Sequence, residues 1–437
     1  MRIGIRREDK NEYEARVPLI PDHIRSLCAQ FPVEFYIQPS AIRAFTEDEY
    51  RQAGAIIRED LSECDIVFAV KEIPVDFFVP GKKYVFFSHT IKGQAYNMPL
   101  LKHMADLKTT LIDYEKIIDE NGRRLVFFGR FAGIAGMIDS FWALGNRLEK
   151  EGFDTIFKHL KQALNYPDLE SIKAAYHEQA KTLSQNGLPE TLPPQIFGFT
   201  GYGNVSHGAQ EMFDIFPHIE IQPEELTEFY QEGNFSNKHL YKVVFKEKHL
   251  VKPIDATTEF NLPDYYDHPE KYNSKFEEYL PYLSVLINAI YWDTMYPRLV
   301  TKKYLKEKYD SGTKLPLRVI GDITCDIGGS IECNMTDTDS GNPVYVYDPI
   351  RESIQYGTTG NGPVVLAVDN LPCELPKESS TVFSNVLKDF IPELLKTDFN
   401  RDFNTVNLPA ELKRATILYN GEFTPDFEYM REFIKNL

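Results

Sequence analysis

The stretch Gln195–Phe213, QIFGFTGYGNVSHGAQEMF, constrains the fold more than any other part of the chain. A short apolar run, IFGFT, ends in the tight turn Gly201-Tyr202-Gly203. Val205, Ala209, Met212 and Phe213 then recur at helical spacing. Strand, glycine turn and helix in that order form the context of a dinucleotide-binding fingerprint. Gly201 permits the turn, and Gly203 lets backbone amides at the positive end of the helix approach a pyrophosphate. Ser206 replaces the third glycine of the strict pattern and is small enough for close helix–strand packing. A second strand, PHIEIQP, follows, and the residue at its end, where a ribose-binding acid is expected, is Gln222. A carboxylate there would repel a 2′-phosphate. Its absence leaves the choice between NAD and NADP open.

Residues 1–130 alternate strand-like and helix-like segments. MRIGIR, VEFYIQP, DIVFAV, YVFFSH and TTLIDYE are apolar runs of strand length. Pro21–Gln30 and Glu47–Ala55 read as helices, the latter opened by Thr46 as N-cap. The alternation predicts a mostly parallel sheet covered by helices, with ligands at the carboxyl ends of the strands. Arg6, Lys71-Glu72 and His89 fall at such ends, and Arg16 lies nearby in YEARVPL. Each has an ordinary explanation when taken alone: a surface arginine, a solvated strand end, a satisfied histidine. Together they put a cation, an amine and an imidazole at the rim of one sheet, which is a candidate site.

Farther along, RRLVFFGRFAGIAGMIDSFWALGNRL predicts a small-residue helix packed closely on a neighbour, because glycine in a helix costs about 1 kcal/mol relative to alanine. EGFDTIFKHLKQAL and ESIKAAYHEQAKTL read as a covering helical pair. The Tyr and Trp of the aromatic stretch 255–310 could stack on a cofactor, but packing of an inserted loop and helix is the commoner explanation. LRVIGDITCDIGGSIE predicts another strand, with Asp326 at its end beside Gly328-Gly329. DTDSGN at 337–342 has the wrong spacing for a calcium loop and reads as a turn. A proline-rich crossing follows at 361–378, and the remainder reads as helical.

The chain has 437 residues, with 48 Lys and Arg against 65 Asp and Glu, a formal charge of −17. That balance argues against a nucleic-acid or anionic-membrane partner. Five scattered cysteines without a CxxC argue against zinc or a disulfide framework and fit a reducing compartment. The chain opens without a signal-peptide apolar region, so the expected location is cytoplasmic. No residue cluster suggests a metal.

YEARVPL, VKEIP, FFSHT, FAGIAGMID, FTGYGNVSHGAQ, YYDHPEKY with INAIYWDTMYPRL, DITCDIGGSIE and VDNLPCELPKESS occur in an order that resembles the alanine dehydrogenase/saccharopine dehydrogenase superfamily. The insert containing NAIYWDTMYPRL is most similar to the lysine–ketoglutarate reductase branch. The resemblance implies an α/β protein of two Rossmann-like domains with parallel sheets flanking a cleft that closes. Residues 1–135 with 370–437 would form the substrate and catalytic domain. Residues 136–369 would form the NAD(P)-binding domain, with a helical insert at 151–194. It also implies a reductase that condenses lysine with 2-oxoglutarate to saccharopine, using NADPH, which this branch generally prefers, or NADH. The chain's end at residue 437 leads to the expectation that a second, fused activity is absent. Lys71 matches the family's base and His89 its acid. Arg16 matches a carboxylate clamp, and Glu14 and Glu72 would tune Lys71 or meet the substrate amine. Asp326 would orient substrate, and Gly201, Gly203, Asn204, Val205 and Ser206 would carry the pyrophosphate, with Gln222 near the ribose. The alternatives are an NAD-dependent saccharopine dehydrogenase releasing lysine, an alanine-type dehydrogenase, or a nucleotide-binding regulator without turnover. The oligomeric state is left open.

Overall fold

The computed structural model describes residues 1–313, 315–435 and 437. The chain folds into two units, Met1–Phe128 with Pro376–Leu437, and Gly129–Leu375. In the first unit the five apolar runs become parallel strands, and the unforeseen Ile56–Ile57 adds a sixth: β1 (Arg2–Ile5), β2 (Glu34–Ile37), β3 (Ile56–Ile57), β4 (Ile66–Phe68), β5 (Lys83–Phe86) and β6 (Thr110–Asp113). The chain runs outward from β1 through β2 to β3, then returns to β4 on β1's other side and continues to β6. The carboxyl ends of β1 and β4 therefore meet at the point where strand order reverses, where open α/β sheets bind ligands.

Helices cover this sheet for local reasons. α1 (Pro21–Gln30) starts on a proline and buries Pro21, Ile24 and Leu27 along one stripe. α2 (Glu47–Gln52) opens on a capping box, in which the Thr46 hydroxyl accepts from the Glu49 amide and the Glu49 carboxylate accepts from the Thr46 amide. It stops short of the expected Ala55 because Gly54 takes φ +92°. α3 (Met98–Asp106) follows β5.

The second unit is built on α4 (Gly129–Lys150), 22 residues long and buried along most of its length. Two of its glycines make that possible. A Cβ on Gly133 would stand 1.9 Å from the Val205 carbonyl oxygen, and one on Gly145 would stand 2.4 Å from that of Phe157. The segment 151–168 departs from the expected helical pair. It forms two 3-10 turns, Ile156–His159 and Ala163–Asn165. Gly152 at φ +89° and the extended, β-branched Thr155 end helical continuation there. Only α5 (Leu169–Asn186) is a helix, capped by Asp168.

β7 (Ile196–Thr200) leads through the glycine turn into α6 (Asn204–Phe213). β8 (His218–Glu220) and α7 (Leu226–Glu232) follow, then β9 (Leu240–Phe245) and the single-turn α8 (Glu247–Leu250). β10 (Val251–Pro253) and β11 (Tyr272–Ser274) form a separate antiparallel ribbon. β12 (Val285–Asn288), β13 (Val319–Asp322), β14 (Val344–Asp348), β15 (Ser353–Tyr356) and β16 (Val364–Leu366) complete the second sheet, in the order β15-β14-β16-β13-β12-β7-β9-β8. Two features differ from expectation. β8 lies at the edge, and β9, not β8, pairs with β7. The sheets are also mixed: β14 and β15 are antiparallel at one edge. In the first unit, β17 (Thr416–Tyr419) and β18 (Glu422–Phe423) add antiparallel strands beside β6, joined by Asn420-Gly421, both at positive φ.

Candidate functional site

The first unit gathers five of the expected residues at its strand-order reversal. Glu14 and Arg16 lie in the loop after β1, Lys71 and Glu72 after β4, and His89 after β5. Glu14 and Arg16 are fully buried, at 0% and 2% exposure. The guanidinium meets the Glu14 carboxylate in a fork, Nε to Oε1 at 2.7 Å and Nη2 to Oε2 at 2.5 Å, and lies 4.2 Å from the centre of the Phe128 ring. Part of the Arg16 fork is thus already engaged by Glu14, which the sequence pattern did not foretell.

Lys71 is half-buried, and burial pushes its ammonium below the ordinary lysine range. The positive charges of Arg16 and Lys10 push the same way, while Glu14 and Glu72 oppose them. Its backbone is held by a residue that motif reading missed. Glu8, itself buried, accepts the amides of Val70 at 2.7 Å and Lys71 at 3.0 Å. Burial and the nearby Glu14 charge raise the Glu8 carboxyl to about 7, against the pull of those two amides.

Glu72 joins the other groups. It accepts from Lys10 Nζ at 2.9 Å and pairs with His89 Nδ1 at 2.6 Å. Burial alone would raise its carboxyl, but the His89 hydrogen bond and charge, with Lys10, bring it down to about 2. An anionic Glu72 requires a proton on Nδ1, so Nε2 is the ring nitrogen that exchanges one. His89 takes φ +49°, its ring stacks on Phe87, and Asn97 Nδ2 donates to its carbonyl at 3.2 Å. A non-glycine residue held at positive φ at the end of a strand is a feature of functional rims.

The other expected residues lie in the second unit. Gly201 takes φ +83°, and a Cβ there would meet the Ala289 carbonyl oxygen at 2.9 Å. Gly203 is the N-cap of α6, and a Cβ there would have nothing within 4 Å. With no side chain at the cap, the first amides of the helix, from Asn204 to Ser206, face an open approach, as a pyrophosphate needs. Ser206 is buried and accepts from Gln210 Nε2 at 2.9 Å. Asp326 lies exposed in the loop after β13, where its carbonyl accepts the Gly329 amide. Gln222 follows β8, so β9 stands between it and β7.

What occupies the place expected for Gln222 is different. A cavity of about 530 Å³ opens beside the glycine turn, lined by Gly201–Gly203, Glu247, Ala289 and an aromatic wall that includes Tyr265, Tyr266 and Trp292. The stretch read as packing thus also builds a cavity wall. Glu247 follows β9 and accepts from the Tyr202 hydroxyl at 3.1 Å and the Tyr266 hydroxyl at 2.8 Å. Among the described residues no group of three or more His, Cys, Asp or Glu is placed to hold a metal. No described helix is long and apolar enough to cross a membrane.

Comparison with known proteins agrees with this layout. Residues 4–135 match the alanine dehydrogenase/PNT N-terminal domain, and residues 264–426 match the C-terminal domain of the same family. The chain is similar to alpha-aminoadipic semialdehyde synthase of Arabidopsis thaliana, with 37% identity over 99% of this chain and 42% of that protein. It is 35% identical to the protein of that name, marked mitochondrial, from Bos taurus, over 99% of this chain and 48% of the relative. The chain therefore spans less than half the length of either relative. An L-alanine dehydrogenase structure superposes with a TM-score of 0.62 at 19% identity, covering 99% of this chain and all of the other, and shares the fold.

Proposed function

From a chain that belongs to the alanine dehydrogenase/PNT family, we propose a saccharopine-forming reductase, which condenses the ε-amine of lysine with the keto group of 2-oxoglutarate and reduces the product imine. The observation that carries this reading is the cluster of Lys71, Glu72 and His89, an amine held below its usual range beside a carboxylate–imidazole pair. It is the equipment of a condensation that must take up one proton and deliver another.

In this reading Lys71, whose ammonium is held below the ordinary lysine range, removes a proton from the substrate ammonium so that the amine can attack. His89 Nε2 gives a proton to the departing hydroxyl, and Glu72 holds the ring in the tautomer that allows it. Arg16 acts as a fixed positive charge that adds to burial in holding the Lys71 ammonium down, and a substrate carboxylate would share or replace Glu14 in its fork. Glu8 holds the Lys71 backbone in place. A nicotinamide cofactor supplies the hydride when bound. The amides of Gly203, Asn204, Val205 and Ser206 would hold its pyrophosphate, with Gly201 making the turn, and Asp326 would orient substrate. The NADPH expectation rests on the habit of the branch, whereas the charge beside the glycine turn favours NADH. A cytoplasmic location is supported by the scattered cysteines, and fractionation against a mitochondrial marker tests it.

The test is loss of nicotinamide absorbance with lysine plus 2-oxoglutarate, run beside a Lys71→Met variant. Turnover is expected, and the variant should lose about 10²- to 10⁴-fold. Turnover with ammonia plus pyruvate instead would indicate an alanine-type dehydrogenase. Cofactor binding without turnover on any amine and keto acid would indicate a regulator.

A further inference from the structure

β5 ends at Phe86, and the chain then holds His89 at φ +49° before it turns back through Thr90–Asn97. On one side this loop is tied to the sheet. Asp113, at the end of β6, accepts the Ser88 amide at 2.9 Å, and Asn97 Nδ2 donates to the Ser88 and His89 carbonyls at 3.0 and 3.2 Å. Between those ties runs Ile91–Gly93, closed by the Gly93 amide on the Thr90 carbonyl at 2.9 Å, with Gly93 at φ +69°. What lies on this stretch comes from more than 330 positions along the chain. The Tyr429 hydroxyl donates to the Ile91 carbonyl at 2.8 Å. The Phe433 ring lies so close over Gly93 that a Cβ there would stand 2.9 Å from it. The Tyr429 and Phe433 rings meet edge to face, their centres 6.0 Å apart.

Resting on the reading of His89 as the proton donor, we propose that the segment Pro425–Ile434 is a strap that holds the His89 loop, with Tyr429 as a positioning residue for the acid. The strap is itself anchored. It begins two residues after β18, buries Phe427 and Met430, and carries Arg431, which pairs with Glu428 at 2.6 Å and with Glu422 at 3.3 Å. Burial and the Glu115 charge raise the Tyr429 hydroxyl above the ordinary phenol range, so it remains a donor. His89 meets Glu72 through Nδ1 at 2.6 Å, and that contact together with the backbone sets where Nε2 points. The backbone at His89 is in a conformation that persists only when its surroundings over-determine it. Asp113 and Asn97 fix Ser88 and the His89 carbonyl. Tyr429 and Phe433 fix the residues that follow. With the second pair released, the ring is free to pivot about its Glu72 contact, and misplacing a reacting group by about 1 Å costs up to roughly 10²-fold in rate.

The experiment compares the full chain as wild type, Tyr429→Phe and Tyr419→Phe. Turnover with lysine plus 2-oxoglutarate, dinucleotide affinity by calorimetry, thermal unfolding and amide hydrogen exchange are measured for each. Tyr429 is 49% exposed, and its replacement removes only the hydroxyl. Tyr429→Phe should lower kcat about fivefold to tenfold and speed exchange of the Gly93 amide. Dinucleotide affinity should not change, because the glycine turn lies in the other unit. The Tyr419 hydroxyl donates to the Phe399 and Arg401 carbonyls instead, so Tyr419→Phe should keep the wild-type kcat whatever it costs in Tm. In a His89→Gln background Tyr429→Phe should cost nothing more, because no donor remains to misplace. An unchanged kcat in Tyr429→Phe overturns the proposal. So does an equal loss in Tyr419→Phe, or the same loss with and without His89. A wild-type rate in His89→Gln, or no turnover in the wild type, would instead refute the reading of His89, and exchange at Gly93 would still decide whether the strap holds the loop. Phe433→Leu, which thins the cover over Gly93, gives the same comparison if Tyr429→Phe does not fold.

Discussion

Replacing Gly133 by alanine tests whether the cofactor helix is placed by backbone contact with α4. The new Cβ would stand 1.9 Å from the Val205 carbonyl oxygen and 2.8 Å from the Ala209 amide nitrogen. The helices must part by roughly 1 Å at this crossing to restore even a 3.0 Å approach. Overpacking of this kind costs about 1–3 kcal/mol, and the better helix propensity of alanine returns about 1 kcal/mol. The net loss, up to about 2 kcal/mol, lowers Tm by up to roughly 8 °C for a unit of this size. Val205 lies in the first turn of α6, so the same displacement moves the amides offered to the pyrophosphate, and cofactor affinity should fall about tenfold. Calorimetric unfolding and dinucleotide titration measure the two effects. Gly145→Ala is the control. Its Cβ would press on the Phe157 carbonyl at 2.4 Å, far along α4, and should cost stability while leaving cofactor affinity unchanged. A Gly133→Ala protein with wild-type Tm and wild-type affinity would refute the argument. So would a Gly145→Ala protein that loses affinity equally.

Two further perturbations act through charge. Asp139 on α4 and Glu374 are buried against one another, and burial lifts Asp139 to about 7 and Glu374 well above the carboxylate range. The folded chain therefore keeps protons that the unfolded chain releases. The stability this provides is complete below about pH 4 and is lost as pH rises through about 7. Glu374→Gln should leave Tm little changed at pH 5 and raise it at pH 8; equal Tm at both pH values would contradict the sign. Lys10→Met removes a cation that helps hold Lys71 down and leaves Glu72 more exposed as an anion. Both changes favour protonated Lys71, so the acid limb of the pH–rate profile should move to higher pH, more so at low salt. A shift to lower pH would remove Lys71 as the group titrating there.

The legible parts of the chain were those whose signal is local. β1, β2, β4, β5 and β6 are apolar runs bounded by turns, and their strand ends mark Lys71, Glu72 and His89 before any pairing is known. β9 escaped because LYKVVF carries Lys242 in its middle. That lysine is buried in the structure with its ammonium 2.7 Å from Asp214. The β17–β18 hairpin had a usable signal, Asn420-Gly421 between ILY and EF, but it follows a helical run that set the expectation. The position of Glu247 was not legible, because it depends on which strand lies next to β7. That pairing joins residues more than 40 positions apart. Glu8 and Lys10 lie in the run RREDKNEYEAR, where many charged residues follow a strand and no spacing distinguishes the two that reach the rim.

The rim of the second sheet is held by polar contacts rather than by apolar packing. Thr200 at the end of β7 donates to Asn288 Oδ1 at the end of β12. Asn288 Nδ2 donates to Asp322 Oδ1 at the end of β13 and to Ser330 Oγ. Asn334 Nδ2 donates to the other Asp322 oxygen, and its Oδ1 accepts from the Tyr345 hydroxyl. Burial raises the Asp322 carboxyl to about 6, even though the two amides hold it down. An apolar core at these positions would bury the strand ends as well, but it would leave their relative height unspecified. A network of directed hydrogen bonds that links the ends of three strands favours one register over its neighbours. Gly201 and Ala289, the residues that follow Thr200 and Asn288, are thereby fixed against each other, and both line the cavity. The buried polar layer thus sets the width of the cavity mouth, and the aromatic wall and Glu247 need only supply its lining.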